Sequence, residues 1–212
     1  MPRTRLLLAD DHAVVAQGLE ALLKDSFELV GIVHDGRSLL DAVEELRPDV
    51  VVTDISMPLL NGIDAIRQIR ERRPNTRVVV LTMHRETQLA IDAFRAGASG
   101  YMLKVSPAEE LITAIQQVAQ ARAYVTTLLS KDLITVLLEA GGRQAAGSPL
   151  TPRQREVLQL VAEGKTMKEV AAILEISPRT AESHKYEIMQ ALGVQTTAEL
   201  VQCAVRLKLV GE

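Results

Sequence analysis

The sequence of 212 residues has no tryptophan, one cysteine, and only five phenylalanine and tyrosine residues. A single cysteine, Cys203, excludes an internal disulfide framework and a zinc site built on cysteines, and a reducing cytoplasm is therefore the expected location. The scarcity of aromatic side chains disfavours binding of single-stranded nucleic acid, because such binding stacks the bases on aromatic platforms.

Long apolar runs are also missing from the sequence. Stretches such as 6–9 are far too short to span a bilayer. Charged Asp10 and Asp11 follow Arg3 and Arg5 so closely that no signal peptide is expected. With 47% hydrophobic and 24% charged residues, the composition is that of a globular protein, and the length allows two small domains that each bury a core.

The net charge of −3 is unevenly distributed. From Ser148 onward there are eight Lys and Arg residues against eight Asp and Glu residues, so the whole excess of acid lies in the first 147 residues. A neutral C-terminal domain can still bind DNA through a local basic face, so the charge does not exclude a nucleic-acid partner.

The first 120 residues alternate short apolar stretches with helical patterns. The apolar stretches, which we predict to be strands, are 5–10, 27–33, 49–53, 78–82 and 100–104. Strands that alternate with helices predict an α/β domain with a parallel sheet covered on both faces. For five strands and five helices, right-handed crossovers favour the flavodoxin-like order.

The pattern becomes purely helical after Pro149. Two short helices, a turn at 175–177 and a third helix from Pro178 to Leu192 predict a helix-turn-helix motif within an all-α, four-helix domain. The segment between the two domains contains a run of leucines and then a Gly-rich stretch, 141–147. We interpret it as a helical linker. The leucine helix is either a connector packed on one domain or a contact for a partner.

Polar residues stand where the predicted strands end. Asp10 and Asp11 follow the first strand, Asp54 the third, Thr82 closes the fourth, and Lys104 follows the fifth. Taken alone, an aspartate directly after a strand is more typical of a turn residue or a helix cap than of a functional site. However, the C-terminal ends of parallel strands share one edge, so these side chains can meet there. Three carboxylates repel unless a cation such as Mg²⁺ neutralises them, and the set suits phosphoryl transfer to a carboxylate.

These residues resemble the receiver domain of bacterial two-component response regulators. The resemblance covers about residues 4–120. Five separated signatures occur in order, namely Asp10-Asp11, Asp54-Ile55-Ser56-Met57-Pro58, Asn61-Gly62, Thr82 and the stretch from Gly97 to Lys104. Val105 departs from the family, which often has proline there, so the shape of the following loop is left open.

The resemblance implies a role for each matched residue. Asp54 would accept a phosphoryl group from a sensor histidine kinase. Mg²⁺ would be held by Asp10 or Asp11, Asp54 and the backbone carbonyl of Ser56, with Asp11 as the direct ligand and Asp10 acting through water.

The remaining matched residues would act on or respond to the phosphoryl group. Thr82 and Lys104 would bind its oxygens, and Tyr101 would rotate inward as Thr82 moves. We interpret His12 and His84 as loop histidines rather than metal ligands, because their spacing does not bring them together.

Residues 150–206 resemble the LuxR-type helix-turn-helix domain of NarL/FixJ-type regulators. The match runs through Leu150 to Leu158, Glu163-Gly164-Lys165, Lys168 to Ala171, Ile176-Ser177, Thr180, His184 and Leu192-Gly193-Val194. It implies that the helix from Pro178 to Leu192 enters the major groove of double-stranded DNA, and that the fourth helix mediates a homodimer.

The DNA-binding residues follow from the same resemblance. The residues it assigns to the interface are Thr166, Lys168, Arg179, Thr180, Glu182, Ser183, His184, Lys185 and Tyr186. Glu182, Ser183 and Tyr186 would read bases. Glu182 is unusual where many members are basic. It either accepts a hydrogen bond from cytosine or pairs with Arg179 three residues earlier.

The sequence therefore predicts a transcription regulator, not an enzyme, that is switched by phosphorylation. Its parts would be a receiver domain at 1–122, a helical linker at 123–147 and a DNA-binding domain at 148–212. The main alternative is a DNA-binding regulator that is independent of phosphorylation and controlled by a partner or ligand at the receiver. A phosphatase is disfavoured, because it would need a second acid close after Asp54, where Ser56 stands.

Overall fold

The computed structural model describes residues 3–129 and 149–210. The predicted leucine helix and Gly-rich stretch of the linker fall mainly on residues 130–148, outside the described residues. The strands of the first domain are β1 (Arg5–Ala9), β2 (Glu28–Val33), β3 (Val50–Thr53), β4 (Arg77–Thr82), β5 (Gly100–Leu103) and β6 (Tyr124–Val125). Its helices are α1 (Ala13–Leu23), α2 (Gly36–Leu46), α3 (Gly62–Arg72), α4 (Thr87–Ala96) and α5 (Ala108–Ala119).

The strands form one parallel sheet in the order β2-β1-β3-β4-β5-β6. The first five follow the predicted flavodoxin-like order, so the predicted fold class is confirmed. The sixth, two-residue strand pairs with Gly100 and Tyr101 and was not predicted. Two residues are too few for a recognisable apolar period.

The central strand β3 is buried on both faces, as its valine run predicts. Val51 packs into one apolar core cluster, while Val50 and Val52 pack into a second cluster on the opposite face. All three valines are at most 2% exposed. Successive side chains of a strand point to opposite faces, so a continuous apolar run is needed when both faces are covered.

The register of the sheet brings the ends of the strands together. Ala9 lies beside Thr53, and Thr53 lies beside Val80. Thr82 lies beside Leu103. The residues that follow these strands therefore converge on one edge of the sheet, which is where Asp10, Asp54 and Lys104 are found.

The C-terminal domain consists, within the described residues, of four helices around a separate apolar core. They are α6 (Pro152–Ala162), α7 (Met167–Ile173), α8 (Pro178–Leu192) and α9 (Thr197–Arg206). A Ser or Thr side chain caps each helix by accepting a backbone N–H, and three of the four caps are complete capping boxes. The predicted helix-turn-helix order is confirmed.

The two domains contact each other mainly through α6. Polar side chains of this helix reach α2, α3 and the loop 57–61 that follows Asp54. Leu59, in the middle of that loop, packs against the apolar core of the C-terminal domain. The loop next to Asp54 is thus part of the surface on which the second domain docks.

Candidate functional site

Asp10, Asp54 and Lys104 form a compact charged pocket at the C-terminal edge of the sheet. The Lys104 Nζ lies 2.7 Å from Asp10 Oδ2 and 2.7 Å from Asp54 Oδ2. All three side chains are at most 10% exposed. The other oxygen of Asp54, Oδ1, accepts the backbone N–H of Ile55 at 2.6 Å. Sequence reasoning predicted this convergence from the strand ends alone.

The positive charge of Lys104 offsets the negative charge of the two buried carboxylates. Burial by itself lowers the pKa of Lys104, but its hydrogen bonds and charge interactions with Asp10 and Asp54 outweigh burial, so the net pKa is raised. Lys104 therefore stays charged at neutral pH. A group that arrives at Asp54 with negative oxygens would find this cation already in place.

The carboxylates also provide a fitting donor set for a hard divalent cation. Oxygens of Asp10, Asp11 and Asp54, together with a ring nitrogen of His12, lie within 4.8 Å of one another. Oxygen ligands of this kind are those that Mg²⁺ prefers, usually with several waters retained. The Asp11 side chain is 32% exposed, whereas Asp10 and Asp54 are buried.

His12 lies beside the carboxylate cluster. Its Nδ1 is 2.7 Å from Asp11 Oδ1 and 3.4 Å from Asp10 Oδ1. His84, by contrast, lies beside Ser56, with 2.9 Å between His84 Nε2 and Ser56 Oγ. The two histidines are thus separate, as predicted. His12 lies in the turn after β1 with a side chain that is 65% exposed, and its interpretation as a loop histidine rather than a metal ligand stays a prediction.

Thr82, His84 and Tyr101 are linked by hydrogen bonds next to the pocket. Thr82 is fully buried, and its Oγ1 accepts the backbone N–H of His84 at 3.3 Å. The Tyr101 hydroxyl donates to the backbone carbonyl of His84 at 3.1 Å. Tyr101 is fully buried, so its ring already occupies the inward position, and burial raises the pKa of its hydroxyl.

The Asn-Gly pair after Asp54 shapes the rim of the pocket. Asn61 caps α3 by accepting the N–H of Asp64. Gly62 lies so close to the phosphoacceptor candidate that a Cβ added there would be 2.0 Å from the backbone oxygen of Asp54. The backbone N–H of Gly62 also donates to the carbonyl of Ile55 at 2.8 Å. Only glycine fits this close approach.

The predicted DNA-binding residues form an accessible surface on α8 and the start of α7. His184 and Lys185 are half-buried, and the others are exposed. The exposed residues are Thr166, Lys168, Arg179, Thr180, Glu182, Ser183 and Tyr186. Thr166 also caps α7. Within the described residues, no hydrogen bond or ion pair joins α8 to the first domain.

Glu182 has no ion pair with Arg179 among the described residues, although the two are three positions apart on α8. Both side chains are exposed. On the same helix, His184 Nδ1 lies 3.6 Å from a Glu187 carboxylate oxygen. Both roles that the sequence left open for Glu182, contact with a base and pairing with Arg179, stay predictions.

Comparison with known proteins agrees with both halves of the structure. Residues 6–116 match the family described as response regulator receiver domain, and residues 148–204 match the family described as bacterial regulatory proteins, luxR family. The chain belongs to the two-component response regulators. Their NarL/FixJ branch, with a LuxR-type helix-turn-helix, is the one that the sequence predicted.

Two curated relatives of this response regulator match it over almost its whole length. Transcriptional regulatory protein MctR of Rhizobium johnstonii is 37% identical over 96% of this chain and 94% of its own. Oxygen regulatory protein NreC of Staphylococcus carnosus is 35% identical over 97% of this chain and 99% of its own.

Solved structures of related response regulators show the same two domains. RcsB of Salmonella typhimurium is 28% identical, with a TM-score of 0.60, and the match covers 97% of this chain and 99% of that one. A complex of RcsB with DNA is 27% identical with a TM-score of 0.60, over 94% and 96% of the two chains. Among the described residues of the present regulator, no helix has the length and apolarity needed to cross a membrane.

Sequence reasoning missed the residues by which α6 holds the receiver. Glu156 and Gln159 are 6% and 0% exposed, which is unusual for such polar side chains. In the sequence, polar residues beside the apolar stripe of a helix are typical of the face that is exposed to solvent, so they do not indicate a buried contact. The one available sequence signal was that Gln159 interrupts the apolar run of α6 at 157–161, which Glu156 directly precedes.

Proposed function

We propose that this response regulator controls transcription and is switched by phosphorylation of Asp54 by a sensor histidine kinase. The observation that carries the proposal is the pocket itself, in which Lys104 spans Asp10 and Asp54 at 2.7 Å from each. A buried carboxylate beside a fixed cation and a carboxylate cluster suits the acceptance of a phosphoryl group. We also propose that the protein acts in the cytoplasm, with domain boundaries near residues 122 and 148.

In the proposed reaction, an Asp54 carboxylate oxygen attacks the phosphorus of a phosphohistidine. The P–O bond forms as the P–N bond breaks, the electron pair stays on the departing imidazole nitrogen, and an acyl phosphate results. Lys104 then pairs with a phosphoryl oxygen, and Thr82 donates its hydroxyl hydrogen to another. Mg²⁺, held by Asp10, Asp11, Asp54 and the Ser56 carbonyl, would supply charge neutralisation.

The switch would travel along the hydrogen bonds around His84. Movement of Thr82 toward the phosphoryl group shifts the backbone of His84, which Tyr101 also contacts. Within the described residues, no hydrogen bond or ion pair joins α8 to the receiver. We therefore favour a switch in which phosphorylation controls homodimer formation over one in which phosphorylation uncovers α8. A dimer would read two half-sites on double-stranded DNA.

The test is DNA affinity with and without a small phosphodonor such as acetyl phosphate. A binding sequence is first selected from a random pool with the phosphodonor-treated protein. We expect the donor to tighten binding by the native chain and to leave Asp54→Asn unchanged. Equal tightening of both proteins would contradict the proposal. No incorporation of phosphate into the native chain would favour the alternative, a regulator controlled by a partner at the receiver.

Two substitutions on α8 should separate phosphate contacts from base contacts. Arg179→Ala is expected to weaken binding to all sequences alike and to lower the slope of affinity against salt by about 1. Glu182→Gln is expected to keep the salt slope and change the preferred base at one position, by about 1–3 kcal/mol. The measurement is affinity for a panel of single-base variants at several salt concentrations. A uniform effect of Glu182→Gln would contradict the base-reading role.

A further inference from the structure

Three arginines from separate elements line one cleft at the N-terminal edge of the receiver sheet. Arg70 lies in the last turn of α3, Arg77 begins β4, and Arg122 follows α5. The cleft has a volume of about 320 Å³ and is also lined by Ser99. Its other lining residues among those described are glycine and alanine, so none of them is acidic. Parallel strands all begin at this edge, which places the cleft at the opposite edge of the sheet from Asp54.

The three arginines of this cleft have no ion pair within residues 3–129 and 149–210. Elsewhere in the receiver, Arg37, Arg67 and Arg73 each pair with a carboxylate. The first 147 residues carry an excess of acid, so a shortage of carboxylates does not explain the difference. Like charges that share a cleft repel one another, and a cleft of one sign concentrates ions of the other sign. An anion bound between the arginines would therefore remove an unfavourable interaction.

Neutralisation of helix C-termini accounts for only part of the cluster. A basic residue in the last turn of a helix interacts favourably with the helix dipole. The last turn of α4 already contains Arg95, and that of α3 contains Arg72 in addition to Arg70. The last turn of α5 has no basic residue, so the dipole explains at most Arg122. Arg77 begins a strand, and Arg70 duplicates a charge that α3 already has.

The local backbone holds two of the arginines at the cleft. Gly97 has a φ of 113°, and a Cβ added there would lie 3.1 Å from Arg70 Cγ, so glycine lets the stem of Arg70 lie against the end of α4. The Arg70 guanidinium donates one hydrogen bond to the carbonyl of Pro74 at 3.0 Å, which leaves its other N–H groups for a ligand. Ala121 has a φ of 67°, which alanine rarely adopts, and this turn after α5 brings Arg122 to the cleft.

A diphosphate group fits these donors better than a single carboxylate does. Guanidinium groups pair bidentately with phosphate oxygens, and three of them carry more charge than one carboxylate can offset. Ser99 adds a hydroxyl group that can donate to a further oxygen. Among the described residues no aromatic side chain lines the cleft, so nothing there would stack on a nucleotide base. The chemistry recognised is therefore the diphosphate itself.

We propose that the cleft between Arg70, Arg77 and Arg122 binds a diphosphate group, either free or attached to a small molecule. The site is separate from the pocket around Asp54, and it does not depend on the phosphorylation proposed above. A ligand held there would connect α3, β4 and the segment that leads into β6. It would stabilise the folded receiver, and the stabilisation would increase with ligand concentration.

The test is a calorimetric titration of the full chain with pyrophosphate at low salt, in a chelator that removes Mg²⁺. We expect saturable binding at one site per chain. Arg70→Ala and Arg122→Glu should each weaken binding about tenfold or more, because each removes charge-assisted hydrogen bonds. Both arginines are exposed, so the variants should fold. Arg72→Ala is the matched control, because it removes the same charge from the same turn of α3, where Arg72 donates to Gln68 and does not line the cleft. It should bind pyrophosphate like the native chain.

Thermal melting supplies a second readout, because a ligand of the folded state raises the melting temperature. Pyrophosphate should raise the melting temperature of the native chain and of Arg72→Ala, and have little effect on Arg122→Glu. Titration with adenosine diphosphate distinguishes the two sources of the group. Affinity equal to that of pyrophosphate would show that the cleft accepts a diphosphate attached to a nucleoside, and weaker affinity would assign it to the free ion.

Three results would overturn the proposal. The first is an absence of saturable pyrophosphate binding by the native chain. The second is an equal loss of affinity in Arg72→Ala and Arg70→Ala, which would show a diffuse attraction to the basic edge of the sheet. The third is equally tight binding of sulfate, which would show that the cleft responds to charge alone and has no preference for a diphosphate.

Discussion

Gly62→Ala is expected to lower the free energy of unfolding by about 3 kcal/mol, near the upper end for overpacking of a well-packed site. The added Cβ would lie 2.0 Å from the backbone oxygen of Asp54 and 3.0 Å from Ile55 Cα. These are backbone atoms at the end of the buried strand β3, so no side-chain rotation can relieve the clash. Either the loop or the end of the strand must move, and phosphoryl uptake at Asp54 should fall with it.

The matched control is Gly18→Ala. Gly18 lies inside α1, and a Cβ there meets nothing within 4 Å. Alanine should therefore stabilise the protein by about 0.5–1 kcal/mol, because glycine is the poorer helix former. Chemical denaturation of both variants, with the receiver transition followed by circular dichroism, measures the difference. A Gly62→Ala protein as stable as the native one would show that the loop does not pack against Asp54 as described.

Lys104→Ala is expected to lower the free energy of unfolding by about 3 kcal/mol in the absence of divalent cations, as for other buried ion pairs that lose one partner. The substitution leaves Asp10 and Asp54 buried, at 2% and 5% exposure, without the cation that lies 2.7 Å from each. Millimolar Mg²⁺ should recover part of the loss, because it neutralises the same carboxylates. The stability of the variant should thus depend on Mg²⁺ more steeply than that of the native chain.

Lys24→Ala is the control for this second substitution. Lys24 is an exposed lysine at the end of α1 in the same domain, and its loss should change stability by no more than about 0.5 kcal/mol with or without Mg²⁺. Melting temperatures in a chelator and in a Mg²⁺ series make the comparison. If Lys104→Ala melted like Lys24→Ala in both conditions, the balance of charge in the pocket would not depend on Lys104.

Much of the charged pocket around Asp54 could be predicted without coordinates. Three valines before Asp54 require a strand buried on both faces, and alternation of strands with helices requires a parallel sheet. Once the sheet is parallel, Asp10, Asp54 and Lys104 must lie at one edge, because every strand ends there. The caps of the C-terminal helices were equally accessible, because a Ser or Thr at a helix start acts within three residues of itself.

Other features depended on which surfaces meet in space. His12 joins the carboxylate cluster because of how a single turn folds, and a turn of this kind has no periodic signal. Residues Tyr124 and Val125 form a strand only because the edge of β5 is available to pair with them.

The sequence by itself determined the two domains, the order of their elements and the edge at which the charges meet. These follow from local patterns of apolar residues and caps, together with the geometry of parallel strands. Only the tertiary structure decided that Gln159 and Glu163 hold the loop after Asp54. Those contacts join residues about a hundred positions apart, and they depend on the complementary shape and polarity of two surfaces that no local period encodes.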